Sequence, residues 1–372
     1  MATVPVAPKV YISQIQQDLE AAWGRGRSQL SEYMLRLEKT HSPAVHNSRI
    51  LHDATYRRAS VLLLSQVSND MMVRIIRNKL MEDLKNRTYQ LERWSKLQVL
   101  REPDPQNRSP KKAGIYILYL TTRTGGGLSV ADYERFVAAM VAAIDGSPMP
   151  PTSTSPGRDI VSECNRFIRQ YTNNRIADIA DIRKACSKYR NDFVTNQRNL
   201  VTDARSDNAT EIRLQGEVGW SADMDVRFGQ HMDFDGSAAF FRLARCVLEC
   251  LFPQTFELNG ICLFRALQQK DSDHGEAMGS HIATSYAKYG GWNYTQAGMH
   301  TQSGHQLSLD RHIACANQYP ALMAFIKASW DQELDLWRRR CQKQQVRFLF
   351  LFPAYLPTPC SHSYSTGDAR WS

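Results

Sequence analysis

The chain has 372 residues, of which 42% are apolar, and a net charge of +9; that is enough apolar material for real cores and excludes a disordered chain. Its longest apolar runs, such as Val61–Leu64 and Phe348–Phe352, are far too short to span a bilayer, so no membrane partner is expected. The eight cysteines form no CxxC pair, which argues against a zinc cluster or a disulfide framework.

The closest cysteines, Cys246 and Cys250, stand at i,i+4 in a helical pattern and read as small buried hydrophobes. The N-terminus shows no charged region followed by an apolar stretch, so no signal peptide is expected. Together these point to an intracellular protein, nuclear or cytoplasmic. Residues 1–112 carry 19 Lys/Arg against 11 Asp/Glu, a net of +8, whereas the remaining 260 residues carry 27 against 26. The basic character therefore sits at the N-terminal end, where it reads as a polyanion-binding surface or as a solvated helical face.

In chain order, residues 12–38 have helical spacing at Ile12, Ile15, Leu19 and Ala22, weakened in the middle by Gly24 and Gly26. A longer helical stretch runs from about Asn47 to Leu100 and stops at Pro103-Asp104-Pro105. The basic linker Arg108-Ser109-Pro110-Lys111-Lys112 closes a first, basic helical region, residues 1–109. Ile115–Thr122 is rich in β-branched and aromatic residues and predicts a buried strand. Gly125-Gly126-Gly127 follows, without the companions of a phosphate loop.

Helix is predicted for 128–144, a Pro/Ser/Thr-rich loop for Ser147–Gly157, helix from Ile160 to about Arg198, and a loop at Asp203–Asn208. Thr210–Val218 predicts a second strand ended by Gly219; helices at Ala222–Met232 and Ala238–Leu251, a strand at Phe256–Leu267 and a helix at Gly275–Tyr289 follow. A polar loop at Thr301–Gln306, a helix from Leu307 to Gln342 and a strand-like run at Val346–Tyr355 make up a C-terminal extension, 301–372.

With the helical segment at about 123–209 set aside as an insertion, the order from 110 to 300 is strand, strand, helix, helix, strand, helix. Along it lie Gly114-Ile115-Tyr116 on the first strand and Glu217-Val218-Gly219 at the end of the second. Arg227 follows Gly219 by eight positions, and His231 follows Arg227 by four, on one helix face. Glu276 sits near the start of the last helix, and Asn293 follows Gly290-Gly291-Trp292.

This ordered set resembles the GIY-YIG nuclease superfamily. The fold so implied is α+β: a small GIY-YIG-like sheet flanked by helices, with a large helical insertion and an N-terminal basic helical region. The resemblance implies metal-dependent cleavage of DNA or RNA. Glu276 would hold one Mg²⁺ or Mn²⁺, Arg227 would neutralise transition-state charge, and Tyr116 with His231 would orient or deprotonate water. Asn293 would support the metal site or the helix end. The tyrosine of the family's second tripeptide is absent, and Glu217 stands there as a second acid, a base, or the mark of a decayed site. Tyr119, three residues from Tyr116, faces the other side of the strand. The expected partner is nucleic acid, double-stranded DNA first; the alternatives are a nuclease-like module that binds without cutting and a helical protein-interaction factor.

Overall fold

The computed structural model describes residues 8–41, 53–90, 113–149, 157–172, 179–266, 271–294 and 320–351. Two compact units divide after Ser329.

The first unit is built on a three-stranded antiparallel sheet in which β1 (Gly114–Thr122) is central, flanked by β4 (Glu217–Ser221) and β5 (Phe256–Arg265). Strand alternation gives β1 two buried faces. Tyr116, Leu118 and Leu120 enter one core, while Ile115, Ile117 and Tyr119 enter the other. Tyr119 therefore does face away from Tyr116. Once the insertion is set aside, the chain order is the one expected: β1, β4, α10 (Met224–Met232), α11 (Ala239–Leu251), β5, α12 (Asp271–Ile282).

The insertion begins and ends in a two-stranded pair, β2 (Leu128–Ser129) with β3 (Glu211–Ile212). Between them lie α6 (Val130–Asp145), α7 (Ile160–Thr172), α8 (Ile179–Ser187) and α9 (Arg190–Ser206). These helices pack with one another and on α11, so the Tyr116 face of the sheet is covered by α6–α11. The opposite face is covered by α12 and the N-terminal helices α1 (Gln14–Gly24), α2 (Arg27–His41), α3 (Asp53–Leu64), α4 (Asn69–Ile76) and α5 (Leu80–Lys85). A buried pair joins the two groups: His281 Nε2 lies 2.8 Å from Glu38 Oε2, which also accepts from the Tyr286 hydroxyl at 3.1 Å.

Several element boundaries differ from the periodicity, each for a local reason. The first expected helix breaks at Gly26, whose φ of 117° suits only glycine. The long Asn47–Leu100 stretch is cut where Ser68 caps α4 by accepting from Met71 N at 3.2 Å, and again at left-handed Asn78; its end and the expected boundary near 109 lie outside the described residues. Thr210–Val218 is not one strand, because the chain leaves β3, runs irregularly through residues 213–216 with Gln215 buried, and enters the sheet as β4, which continues past Gly219 to Ser221.

Asp203–Ser206 is helical rather than a loop, and Leu128–Ser129 is strand, with Ser129 capping α6. The last helix of the sheet unit starts at Asp271 and ends at Ile282. There Thr284 turns left-handed and Ser285 N bonds back to Ser280 O at 2.9 Å; a 3₁₀ turn, Ala287–Tyr289, follows separately. The expected Thr301–Gln306 loop lies outside the described residues.

The last described helix is α13 (Pro320–Leu351). Its Leu322 and Ile326 are buried, and in the second unit Leu334, Leu336 and Trp337 are exposed. The expected strand from Val346 is helix as far as Leu351, a run of 32 residues with no proline after the first position.

The described basic residues of the N-terminal helices are extensively paired. Arg77 grips Glu20 through two bonds of 2.7 and 2.8 Å, Arg57 pairs with Glu32, and Arg74 and Lys79 both reach Asp83. No described helix is long and apolar enough to cross a membrane.

Candidate active site

Tyr116 stands at an irregularity in the β1–β5 register, between Ile115 and Tyr116. Such a shift re-aims a strand side chain. Directly across β1–β4 is Gly219, and a Cβ there would collide with the Tyr116 hydroxyl. The absence of a side chain at Gly219 is thus what lets the phenol lie over β4, the edge strand on that side.

Two residues of α10 meet the phenol. The helix starts at Asp223, whose carboxylate caps Val226 N, and this start sets the phase that turns Arg227 and His231 inward together. His231 Nε2 lies 2.8 Å from the Tyr116 hydroxyl, and Arg227 donates to the same oxygen through Nε at 3.5 Å. Arg227 is further held by Gln230 Oε1 at 2.8 Å and the Gly236 carbonyl at 2.6 Å. Gly236 has φ of 78°, and a Cβ there would run into the guanidinium. The other ring nitrogen, His231 Nδ1, meets the Ser237 hydroxyl at 2.5 Å. Arg245 donates to the carbonyls of His231 and Met232 at 2.8 and 3.1 Å, closing the end of α10.

Glu217 is on the same face, paired across β1–β4 with Leu118. Its Oε1 accepts from Ala238 N at 2.6 Å, at the start of α11. Its Oε2 is buried without an aligned donor. Burial raises its carboxyl pKa to about 7, against the opposing pull of the Ala238 amide, the approaching Ser237 hydroxyl, Arg227 and Arg242. His231 moves the other way: burial first, then Arg227 and Arg245, lower it to about 3, so the ring is neutral across the physiological range. Burial lifts the Tyr116 hydroxyl well above the usual phenol range; Arg227 opposes this, and the charges of Glu217 and Glu276 add to it.

Glu276 and Asn293 are placed differently. Glu276 is the sixth residue of α12, not at its opening, and α12 packs through Gly275 and Gly279 against Ile115 and Val218, on the face opposite Tyr116. Its charge nonetheless adds, as the smallest contribution, to the rise of the Tyr116 hydroxyl. Asn293 does not join the cluster. Its Nδ2 donates to Val218 O and Ser285 Oγ at 3.2 Å, pinning the segment after α12 to β4.

The structure thus brings Tyr116, Arg227 and His231 together, sets Glu217 behind them, leaves Glu276 on the helix that covers the opposite face, and gives Asn293 a bracing role. Sequence reasoning missed Ser237, Gln230, Arg242 and Arg245. Ser237 precedes an apolar helix and carries the signal of a cap residue, yet its side chain turns to His231 instead.

No family model, curated protein or solved structure matches the chain. Among the described residues no group of three His, Cys, Asp or Glu is arranged to hold a metal. The resemblance names one carboxylate for the ion, Glu276. That fits a hard divalent ion whose remaining ligands are waters and substrate phosphate oxygens, the ordinary situation for Mg²⁺.

Proposed function

We propose that the chain acts on nucleic acid, double-stranded DNA first, through a divergent GIY-YIG-type nuclease domain that cleaves phosphodiester bonds with Mg²⁺ or Mn²⁺. The observation that carries this reading is the meeting of Tyr116, His231 and Arg227 at one oxygen, from positions 111 and 115 residues apart. Phosphodiester hydrolysis needs a positioned water, a cation beside the phosphoryl oxygens and a way to carry off a proton. The Tyr116 hydroxyl orients the water. Arg227, with a guanidinium that is always charged, stabilises the developing negative charge by trading its Gly236 contact for a phosphate oxygen. Glu276 is the carboxylate that would hold the ion, which supplies charge neutralisation at the scissile phosphate when bound.

The enclosure of the cluster favours a second reading, a module that binds nucleic acid without cutting: Tyr116 is 3% exposed and His231 2%.

The deciding experiment is nicking of supercoiled plasmid with Mg²⁺ or Mn²⁺, run beside duplex binding by anisotropy. Wild type is expected to nick, and Arg227→Ala and Glu276→Ala to lose activity about 100-fold or more while still binding. Undiminished nicking by Glu276→Ala would refute the assignment. Binding without nicking by wild type selects the second reading, and absence of both sinks any role on nucleic acid.

A further inference from the structure

Glu217 and Ser237 pose a question that the nuclease reading leaves open. A buried carboxylate occupies the place where the family has a hydroxyl. It is held by one backbone amide through Oε1, and Oε2 is buried without a hydrogen-bond partner. An acid in that position would be an expense to the fold unless it served something reached through its neighbours.

Those neighbours form a continuous line. The Tyr116 hydroxyl touches His231 Nε2 at 2.8 Å, His231 Nδ1 touches the Ser237 hydroxyl at 2.5 Å, and the Glu217 carboxyl is held beside Ser237 by the amide of the next residue, Ala238, at 2.6 Å. Four elements of the fold supply one member each: β1, α10, the α10–α11 turn and β4. We propose that Ser237 and Glu217 extend Tyr116 and His231 into a proton relay that ends on the Glu217 carboxylate; this rests on reading Tyr116 as the residue that meets the attacking water.

The transfer balances without any further reactant. The water loses a proton to the Tyr116 oxygen as its own electron pair forms the new bond to phosphorus, and the P–O ester bond breaks with its pair leaving on the departing oxygen. Tyr116 passes its original proton to His231 Nε2, His231 passes its Nδ1 proton to the Ser237 oxygen, and Ser237 passes its own to Glu217. His231 never becomes a cation. That matters because Arg227 and Arg245 both face the ring and oppose a second positive charge there. The receiving carboxyl is faced by Arg227 and Arg242, and its burial leaves it ready to be protonated near neutral pH. Ser237 and Glu217 touch no substrate. They are positioning and proton-accepting residues that act through His231.

The relay demands one tautomer. His231 has to carry its proton on Nδ1, pointing at Ser237, so that Nε2 is free to accept from Tyr116. Nitrogen NMR of the full chain labelled with ¹⁵N-histidine reads this directly, with His231→Gln assigning the signal. The expected result is Nδ1–H in wild type, with a shift towards Nε2–H in both Ser237→Ala and Glu217→Gln, and recovery in Ser237→Thr, which restores a hydroxyl. A wild-type ring protonated on Nε2, or a ring indifferent to both substitutions, would overturn the relay whatever the plasmid assay shows. In that assay, both variants are expected to lower kcat by about 10- to 100-fold with KM unchanged, and Ser237→Thr to restore most of it. Unchanged kcat in both variants would also overturn the relay. A wild type that carries the expected tautomer but never nicks would uphold the hydrogen-bonded line and overturn the hydrolytic reading instead.

Discussion

Replacing Glu217 by Gln removes a proton-binding group that the fold holds far from its ordinary behaviour, and the effect on stability has a definite sign. In the folded chain the carboxyl titrates at about 7, against an ordinary value of 4.5. A raised folded value means that the native state holds this proton more tightly than the unfolded chain. The associated stability is fully present below 4.5 and is lost as pH rises through 7. At about 1.4 kcal/mol per pH unit, the interval corresponds to about 3 kcal/mol. Gln has no proton to lose, and its amide oxygen still accepts from Ala238 N. The stability of the variant relative to wild type is therefore expected to be about 3 kcal/mol greater at about pH 9 than at about pH 4. Urea denaturation of both proteins at the two extremes, with intermediate points, measures this as a difference of differences, so every other titrating group cancels. A relative stability that stays constant with pH would refute the reasoning, for it would mean that the buried carboxyl titrates like an exposed one.

Three further outcomes follow from the same geometry. His231 has a folded value near 3 against an ordinary 6.5, so its contribution is present above 6.5 and lost as pH falls towards 3; His231→Gln is expected to flatten that acid limb by at most about 5 kcal/mol, measured by denaturation across the window. Gly219→Ala puts a methyl where the Tyr116 hydroxyl lies, and is expected to cost about 1–3 kcal/mol and to abolish the His231 tautomer preference, seen by denaturation and ¹⁵N NMR. Deletion of residues 1–90 uncovers Ile115, Ile117 and Tyr119, which share a core with the N-terminal helices; circular dichroism is expected to show loss of cooperative folding, and a folded remainder would contradict the shared core.

How far the sequence led depends on which physics decided each feature. The strand over Ile115–Thr122, α11 and the element order were legible because they follow from hydrophobic periodicity and β-branched content, both local properties. The Arg227–His231 spacing was legible for the same reason, since i,i+4 on a helix fixes a shared face. What escaped was set by partners distant in sequence. The split of Thr210–Val218 into two strands follows from β3 pairing with Leu128 and β4 pairing with β1, choices made by strands about 80 to 100 residues upstream. The opening of α12 at Asp271 puts polar Asp271-Ser272-Asp273 in the buried first turn, where composition suggests a loop. Ser237 was passed over because its role lies in a single bond to His231, and no periodicity marks such a bond. Asn293 was placed in support of the metal site or the helix end by the Gly-x-Asn resemblance, and its amide braces Val218 and Ser285, in the segment that follows α12.

The central position of β1 has a consequence for how the chain is made. Its two sheet partners begin at Glu217 and Phe256, and the helix that closes the opposite face ends at Ile282. A chain emerging from the ribosome at about 5–20 residues per second therefore presents α1–α5 many seconds before the strands that cover them exist. Buried positions such as Met34, Tyr56 and Ile75 have only the neighbouring N-terminal helices for cover through that interval. The Glu38–His281 contact, spanning 243 residues, can form only after most of the chain is out. Closure of this core thus waits on late, long-range pairing, and α1–α5 are the helices that would most need a chaperone's shelter during translation.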